Sequence, residues 1–271
     1  MPELPEVETI KRQLNREIKD KKIEKVKVNL PKLVRYPLAK FEKLVKGAII
    51  KNVNRRAKLL IVELSNGYVL VVHLKLTGQL IFNGEIGKHT HLVYYFTDGS
   101  FLVHNDLRQF GFVKVISKAK LDEFFKKEKF GPEPLSREFT LKVFKKYSEK
   151  RKRSKIKPLL MDQSFISGIG NLYADEILFK AGVRPDRIVD SLKSLEVKKI
   201  YQAILKILPL AISRGGSSID TYRDARGKKG NYLSLIKVYQ RGSNPCFICK
   251  SKIKRIKMSS RSAHFCPKCQ K

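Results

Sequence analysis

The sequence predicts an α+β protein of two domains, and three observations carry that prediction. The chain has 271 residues, enough for two modest hydrophobic cores. Short apolar runs separated by turn residues fill its first half, and helical spacing replaces them after a Gly131-Pro132-Glu133-Pro134 boundary. All four cysteines then fall after residue 245, which points to a small, locally stapled end.

The elements follow in order. Val7, Ile10, Leu14 and Ile18 recur three and four residues apart, and Pro5 suits a first helical turn, so the chain opens on a helix. Apolar runs at 22–30, 48–53, 59–64, 68–74, 91–96, 101–103 and 112–116 predict strands of a sandwich or barrel. Ser65-Asn66-Gly67 and Asp98-Gly99 supply turns between them. Beyond the boundary, 137–150 reads as a basic amphipathic helix, and 158–163 begins another. Residues 171–180 form a third, stopped by Gly182 and Pro185, and 192–212 a longer one ended by Arg214-Gly215-Gly216. Residues 215–231 are rich in Gly, Ser, Arg and Lys and poor in apolar side chains, so they predict a mobile loop.

Charge narrows the function. Lys and Arg number 58 against 25 Asp and Glu, a formal net charge of +33. With 42% hydrophobic residues, this excess belongs to a folded body, not a disordered basic tail. Such a field attracts polyanions, nucleic acid first and an anionic membrane surface second. A Lys-rich coat kept for solubility or heat tolerance is the plainer alternative. No apolar run approaches the ~20 residues of a membrane span. The first residues carry Glu3, Glu6 and Glu8 and no basic stretch, unlike a signal peptide. These features predict a cytoplasmic protein, nucleoid-associated in a bacterium, and the reduced cysteines agree.

The strongest chemical signal is Cys246-x2-Cys249-x16-Cys266-x2-Cys269. Two such pairs close a tetrahedral thiolate shell around one Zn2+, and four sulfurs leave no open position, so the metal is structural. Residues 252–258 and 259–265 read as arms of a hairpin with Arg261 near its tip. The segment 237–271 holds ten Lys or Arg and no acidic residue, which suits a probe of a DNA groove. Upstream, Gly168 and Gly170 permit a tight turn before Asn171 starts a helix, a place where backbone N–H groups bind phosphate. The basic run 150–157 adds positioning charge. At the N-terminus, removal of Met1 frees the secondary amine of Pro2. An amine of this kind is partly unprotonated near neutral pH and attacks an aldehyde-like carbon, with Glu3 and Glu6 beside it for proton transfer.

Together these segments resemble the formamidopyrimidine-DNA glycosylase and endonuclease VIII family. The similarity lies in PELPEVET, HLKLTG, NDLRQFG, IKPLLMDQ with GIGNLYADEILF, and SRSAHFCPKCQ, and so spans nearly the whole chain. It implies an N-terminal β-sandwich with an N-terminal helix over 1–133. It also implies a helical helix-two-turn-helix domain over 134–236 with a lesion-capping loop at 216–233, and a zinc β-hairpin finger over 237–271. The implied activity is excision of oxidised purines such as 8-oxoguanine and formamidopyrimidines from duplex DNA, followed by β,δ-elimination at the abasic site. By the same resemblance Pro2 is the Schiff-base nucleophile, Glu3 the general acid/base, and Glu6 a supporting carboxylate. Lys58 and Arg261 assist elimination. Leu76, Arg108 and Phe110 fill the void left by the extruded nucleotide, Leu76 replacing a commoner methionine. His91, Arg153, Lys157 and Asn171 are implied as further DNA contacts. Oxidised pyrimidines, or DNA binding without catalysis, are the alternative functions. A monomer with no obligate protein partner is expected.

Overall fold

The computed structural model describes residues 1–219, 221–258 and 260–271. Contacts divide the chain into two compact units, Met1–Glu128 with Ile212–Leu233, and Lys129–Ala211 with Ser234–Lys271.

The first unit opens with helix α1 (Leu4–Glu17). A capping box starts it: the Glu3 side chain accepts from the Glu6 backbone, and the Glu6 side chain accepts from the Glu3 N–H. Val7, Ile10 and Leu14 form the expected buried stripe, continued by Ile18 at the C-cap. There follow β1 (Ile23–Val28), β2 (Val34–Arg35), α2 (Leu38–Val45), β3 (Ile50–Arg56), β4 (Leu59–Leu64), β5 (Tyr68–His73), β6 (Gly78–Phe82), β7 (Thr90–Phe96), β8 (Phe101–Asp106), β9 (Phe112–Ser117) and α3 (Leu121–Glu128).

These strands make two sheets, ordered β1-β7-β8-β6 and β2-β9-β5-β4-β3. All pairings are antiparallel except β2 with β9. Alternation puts Leu60 and Val62 of β4, Leu70 and Val72 of β5, and Leu92 and Tyr94 of β7 into one core with the α1 stripe. Each such Leu contributes roughly 1.5–3 kcal/mol on leaving water. Helices α2 and α3 and strands β2 and β6 are not legible in the sequence. Each is short, and α2 buries only Phe41 and Val45, too few positions to establish a period.

By its contacts the 212–233 segment, which contains the Gly- and Ser-rich stretch 215–231, groups with the first unit and is held to it at several points. Ala225 is fully buried in the sandwich core, and its carbonyl accepts from Phe82 N at 2.8 Å. Gln13 Nε2 donates to Asp224 Oδ2 at 2.8 Å, and Arg226 pairs with Glu17 at 2.7 Å. Polar side chains thus add to the anchorage that Tyr222 and Ala225 supply in the core. Asp220 of this segment lies outside the described residues, as does Ser259 at the start of the second hairpin arm.

The second unit contains α4 (Leu141–Glu149), α5 (Ile156–Met161), α6 (Asn171–Ala181), most of α7 (Ser194–Ser213) and a hairpin of β10 (Lys254–Met258) with β11 (Arg261–Phe265). Thr140 caps α4 through Val143 N. Between α5 and α6 the Gln163 amide clamps the turn, donating to Met161 O and Ile169 O and accepting from Gly168 N, each within 2.9 Å. Phe165, Ile166 and Ile169 of this turn are themselves buried.

Candidate active site and nucleic-acid interface

In the first unit, Pro2 and Glu3 are buried at the head of α1. Glu6 fixes them. Its Oε2 accepts from Glu3 N at 2.8 Å and its Oε1 from Ser217 N at 2.8 Å, so one carboxylate ties the N-terminus to the 212–233 strap. Gly216 is required here: its φ is +78°, and a Cβ would stand 2.7 Å from Glu6 Oε1. Tyr222 closes the strap by donating from its hydroxyl to Gly215 O at 3.1 Å.

Lys58 sits in the tight β3–β4 turn and is nearly buried. Glu8 on α1 accepts from Arg55 Nε at 3.0 Å, and Arg55 Nη1 donates to Ala57 O at 2.8 Å. The turn carrying Lys58 is therefore anchored to the helix that begins at Pro2 and Glu3. Burial raises the Glu8 carboxyl, but hydrogen bonds from Arg12 and Arg55 outweigh it and hold the group below its ordinary value.

Leu76 is half-buried in the β5–β6 turn, whereas Arg108 and Phe110 are exposed in the β8–β9 turn. The Arg108 guanidinium lies 4.9 Å from the Phe110 ring centroid. The histidine expectation needs correcting. His91 is buried and donates from Nε2 to Asp106 O at 2.8 Å, so it props the turn from inside. The accessible histidine is His89, two residues earlier. It lines a cavity of about 480 Å3 with Thr77, Gln79, Lys88, Asn105 and Thr221. His89 lies just before β7, which has a register irregularity between Thr90 and Leu92, so strand alternation does not relate the two histidines.

In the second unit, Asn171 opens α6 and lines a groove of about 940 Å3 with Tyr239, Lys254, Arg255 and Arg261. The Asn171 Nδ2 lies 3.4 Å from Tyr239 Oη. Arg153 is exposed in the basic run before α5. Lys157 requires a second correction. It is 1% exposed, pairs with Asp175 Oδ1 at 2.7 Å and donates to Ser262 O at 2.6 Å. It is a strut under the residue beside Arg261, not a surface phosphate contact. Asp175 Oδ2 also accepts from His264 N and Nδ1, both at 3.0 Å. Glu176 accepts three backbone N–H groups, from Lys237, Val238 and Tyr239, each at 2.9 Å. Burial raises its carboxyl above the ordinary range despite those donors. The signal that could have found this pair is two adjacent acids on a helix of a very basic chain.

The four cysteine sulfurs lie within 4.8 Å of one another, with Cys246–Cys269 at 3.9 Å and Cys249–Cys266 at 3.3 Å. Four convergent thiolates suit tetrahedral Zn2+, and a filled shell supplies folding energy with no catalytic position.

Three domain families match along the chain: the formamidopyrimidine-DNA glycosylase N-terminal domain over residues 1–113, its H2TH domain over 130–223, and the zinc finger found in FPG and IleRS over 243–271. The chain belongs to the formamidopyrimidine-DNA glycosylase family. It is similar to the formamidopyrimidine-DNA glycosylase of Streptococcus mutans, 39% identical over 274 residues and covering 100% of both chains. It is likewise similar to that of Heliobacterium modesticaldum, 42% identical over 278 residues with 100% of both covered. Among solved structures it resembles a mutant Lactococcus lactis Fpg in complex with Fapy-dG DNA, at a TM-score of 0.93 and 35% identity over 100% of both chains. A second neighbour, Lactococcus lactis Fpg bound to abasic-site DNA, has a TM-score of 0.93 and 35% identity over 99% of both. The formamidopyrimidine-DNA glycosylase sandwich, H2TH region and zinc hairpin therefore match the architecture of this chain from end to end.

Proposed function

We propose that the chain is a bifunctional DNA glycosylase and AP lyase of base excision repair, acting in the bacterial cytoplasm at the nucleoid on oxidised purines in duplex DNA. One observation carries this reading: a family match over all three domains coincides with a buried Pro2-Glu3 head, fixed by Glu6. In the proposed reaction the Pro2 amine, freed of Met1, attacks C1′ of an extruded nucleotide. The C1′–N bond to the base breaks and the base leaves with a proton; the C1′–O4′ bond then breaks as O4′ takes a proton, opening the sugar ring and leaving a Pro2–C1′ iminium. The iminium acidifies the C2′ proton, so β-elimination breaks the C3′–O bond, and δ-elimination then breaks the C5′–O bond. Glu3 transfers protons at the sugar. Lys58, held by the Glu8–Arg55 link, and Arg261 serve the eliminations. Asn171, Arg153 and His89 contact phosphates, and Zn2+ holds the hairpin that carries Arg261.

Borohydride trapping on a duplex carrying 8-oxoguanine opposite cytosine tests this. Wild-type protein forms a covalent adduct and Pro2→Gly forms none. A thymine-glycol duplex run in parallel reports the endonuclease VIII preference. Absence of an adduct on both duplexes, with Met1 removed and zinc bound, leaves a catalytically silent DNA-binding protein.

A further inference from the structure

Asp106 ends β8 with no solvent exposure, and its carboxylate brackets two turns. Oδ1 accepts from Thr77 Oγ1 at 2.5 Å and from Arg108 N at 3.2 Å, and Oδ2 accepts from Gly111 N at 2.7 Å. The Thr77 hydroxyl oxygen itself accepts from Arg108 N at 2.9 Å. Thr77 directly follows Leu76, and Gly111 directly follows Phe110. One buried carboxylate therefore touches the flanks of all three side chains assigned to the void. The fit leaves little slack: a Cβ on Gly111 would lie 3.0 Å from Asp106 Oδ2 and 3.1 Å from His73 O. Gln109, between Arg108 and Phe110, is held at φ +55°, a conformation that costs an ordinary residue energy. Below, His91 donates to the Asp106 carbonyl.

We propose that Asp106, acting through Thr77, is a positioning residue that joins the Leu76 turn and the Arg108–Phe110 turn into one preformed wedge. The inference rests on the reading of those three residues as void fillers. Charge-assisted bonds to a buried carboxylate are short and strong, so neither turn moves without the other. Insertion then orders no loop at the moment the nucleotide leaves the stack, and the cost of ordering falls outside the extrusion step.

Thr77→Val removes the side-chain link between the turns while leaving Asp106 on Arg108 N and Gly111 N and the flanking Gly78–Asp106 and His73–Phe112 strand pairings intact, and Thr77→Ser restores the hydroxyl. Asp106→Asn is a second variant, with a melting curve and zinc content to establish that each protein folds. Two substrates separate the outcomes: an 8-oxoguanine:cytosine duplex, which requires extrusion of an intact nucleotide, and a preformed abasic site, which has no base to extrude. A 2-aminopurine next to the lesion reports unstacking. Thr77→Val lowers base excision and the rate of the 2-aminopurine rise together by about tenfold or more, while abasic-site cleavage stays within about threefold and Thr77→Ser recovers the loss. A folded Thr77→Val protein that excises at the wild-type rate, or that loses both substrates equally, overturns the proposal. Failure of the wild-type protein to excise at all overturns the underlying reading instead.

Discussion

Single polar residues in this chain act by what they hold. Glu6 spends both carboxylate oxygens on backbone N–H groups, and Asp106 does the same within the β8–β9 turn while also accepting from the Thr77 hydroxyl of the β5–β6 turn. The same burial keeps two histidines neutral. His73 is pushed down to about 3, first by desolvation and then by the neighbouring charges of Lys75, Lys58 and Arg35, while its Nδ1 accepts from Lys75 N at 2.9 Å. His104 is fully buried and pushed down to about 4 by desolvation, with neither ring nitrogen hydrogen-bonded among the described residues. An unfolded histidine protonates near 6.5, so the unfolded state binds more protons as the medium acidifies. Stability from these groups is complete above the unfolded value and is lost as pH falls below it. The unfolding free energy in urea should therefore decline between about pH 6.5 and pH 5, above the range of ordinary carboxylates. His104→Leu, which places an apolar side chain beside Leu80 and Leu92, should flatten that decline. An unchanged slope in the variant would show that His104 does not contribute to it.

At the scale of elements, α6 is the hub of the second unit. Asp175 joins it to α5 through Lys157 and to β11 through His264, and Glu176 joins it to the chain entering the cysteine cluster. Removing one member of a buried pair such as Lys157–Asp175 leaves an uncompensated charge, a change that costs about 3–5 kcal/mol. The cysteines hold the other end of the hairpin, where Phe179, Val238 and Ile253 pack against Cys246 and Cys266. Chelation of zinc, or Cys249→Ala, should disorder the hairpin and weaken binding to a duplex with a stable abasic analogue by about tenfold or more. Zinc content and binding isotherms measured on the same samples check this. Full affinity at zero zinc would remove the hairpin from the interface.

For the whole molecule, the +33 charge is a statement about partners. Among the described residues no helix is long and apolar enough to cross a membrane. Phosphate contact releases counterions, so affinity for undamaged duplex should drop about a thousandfold between roughly 50 and 200 mM salt if on the order of six phosphates are neutralised. A flat response in a salt titration would contradict an electrostatic interface and favour the reading of the lysines as a solubilising coat.

By itself the sequence determined the order of the longer elements and the four cysteines that converge, because periodicity and spacing are local properties. β4, read at 59–64, is observed over Leu59–Leu64, and α6 begins at Asn171 as its glycine-rich entry implied. Tertiary structure alone decided which side chains face outward and which support them. His91 and Lys157 belong to basic or alternating segments that read as surface, yet both are buried against partners distant in sequence: His91 meets Asp106, and Lys157 meets Asp175 and Ser262. The 212–233 strap likewise reads as loose because its anchors, Glu6, Gln13 and Glu17, lie about 200 residues away along the chain. Local pattern specifies a period and a turn. Burial of a charge depends on a partner that only the folded chain brings within hydrogen-bonding distance.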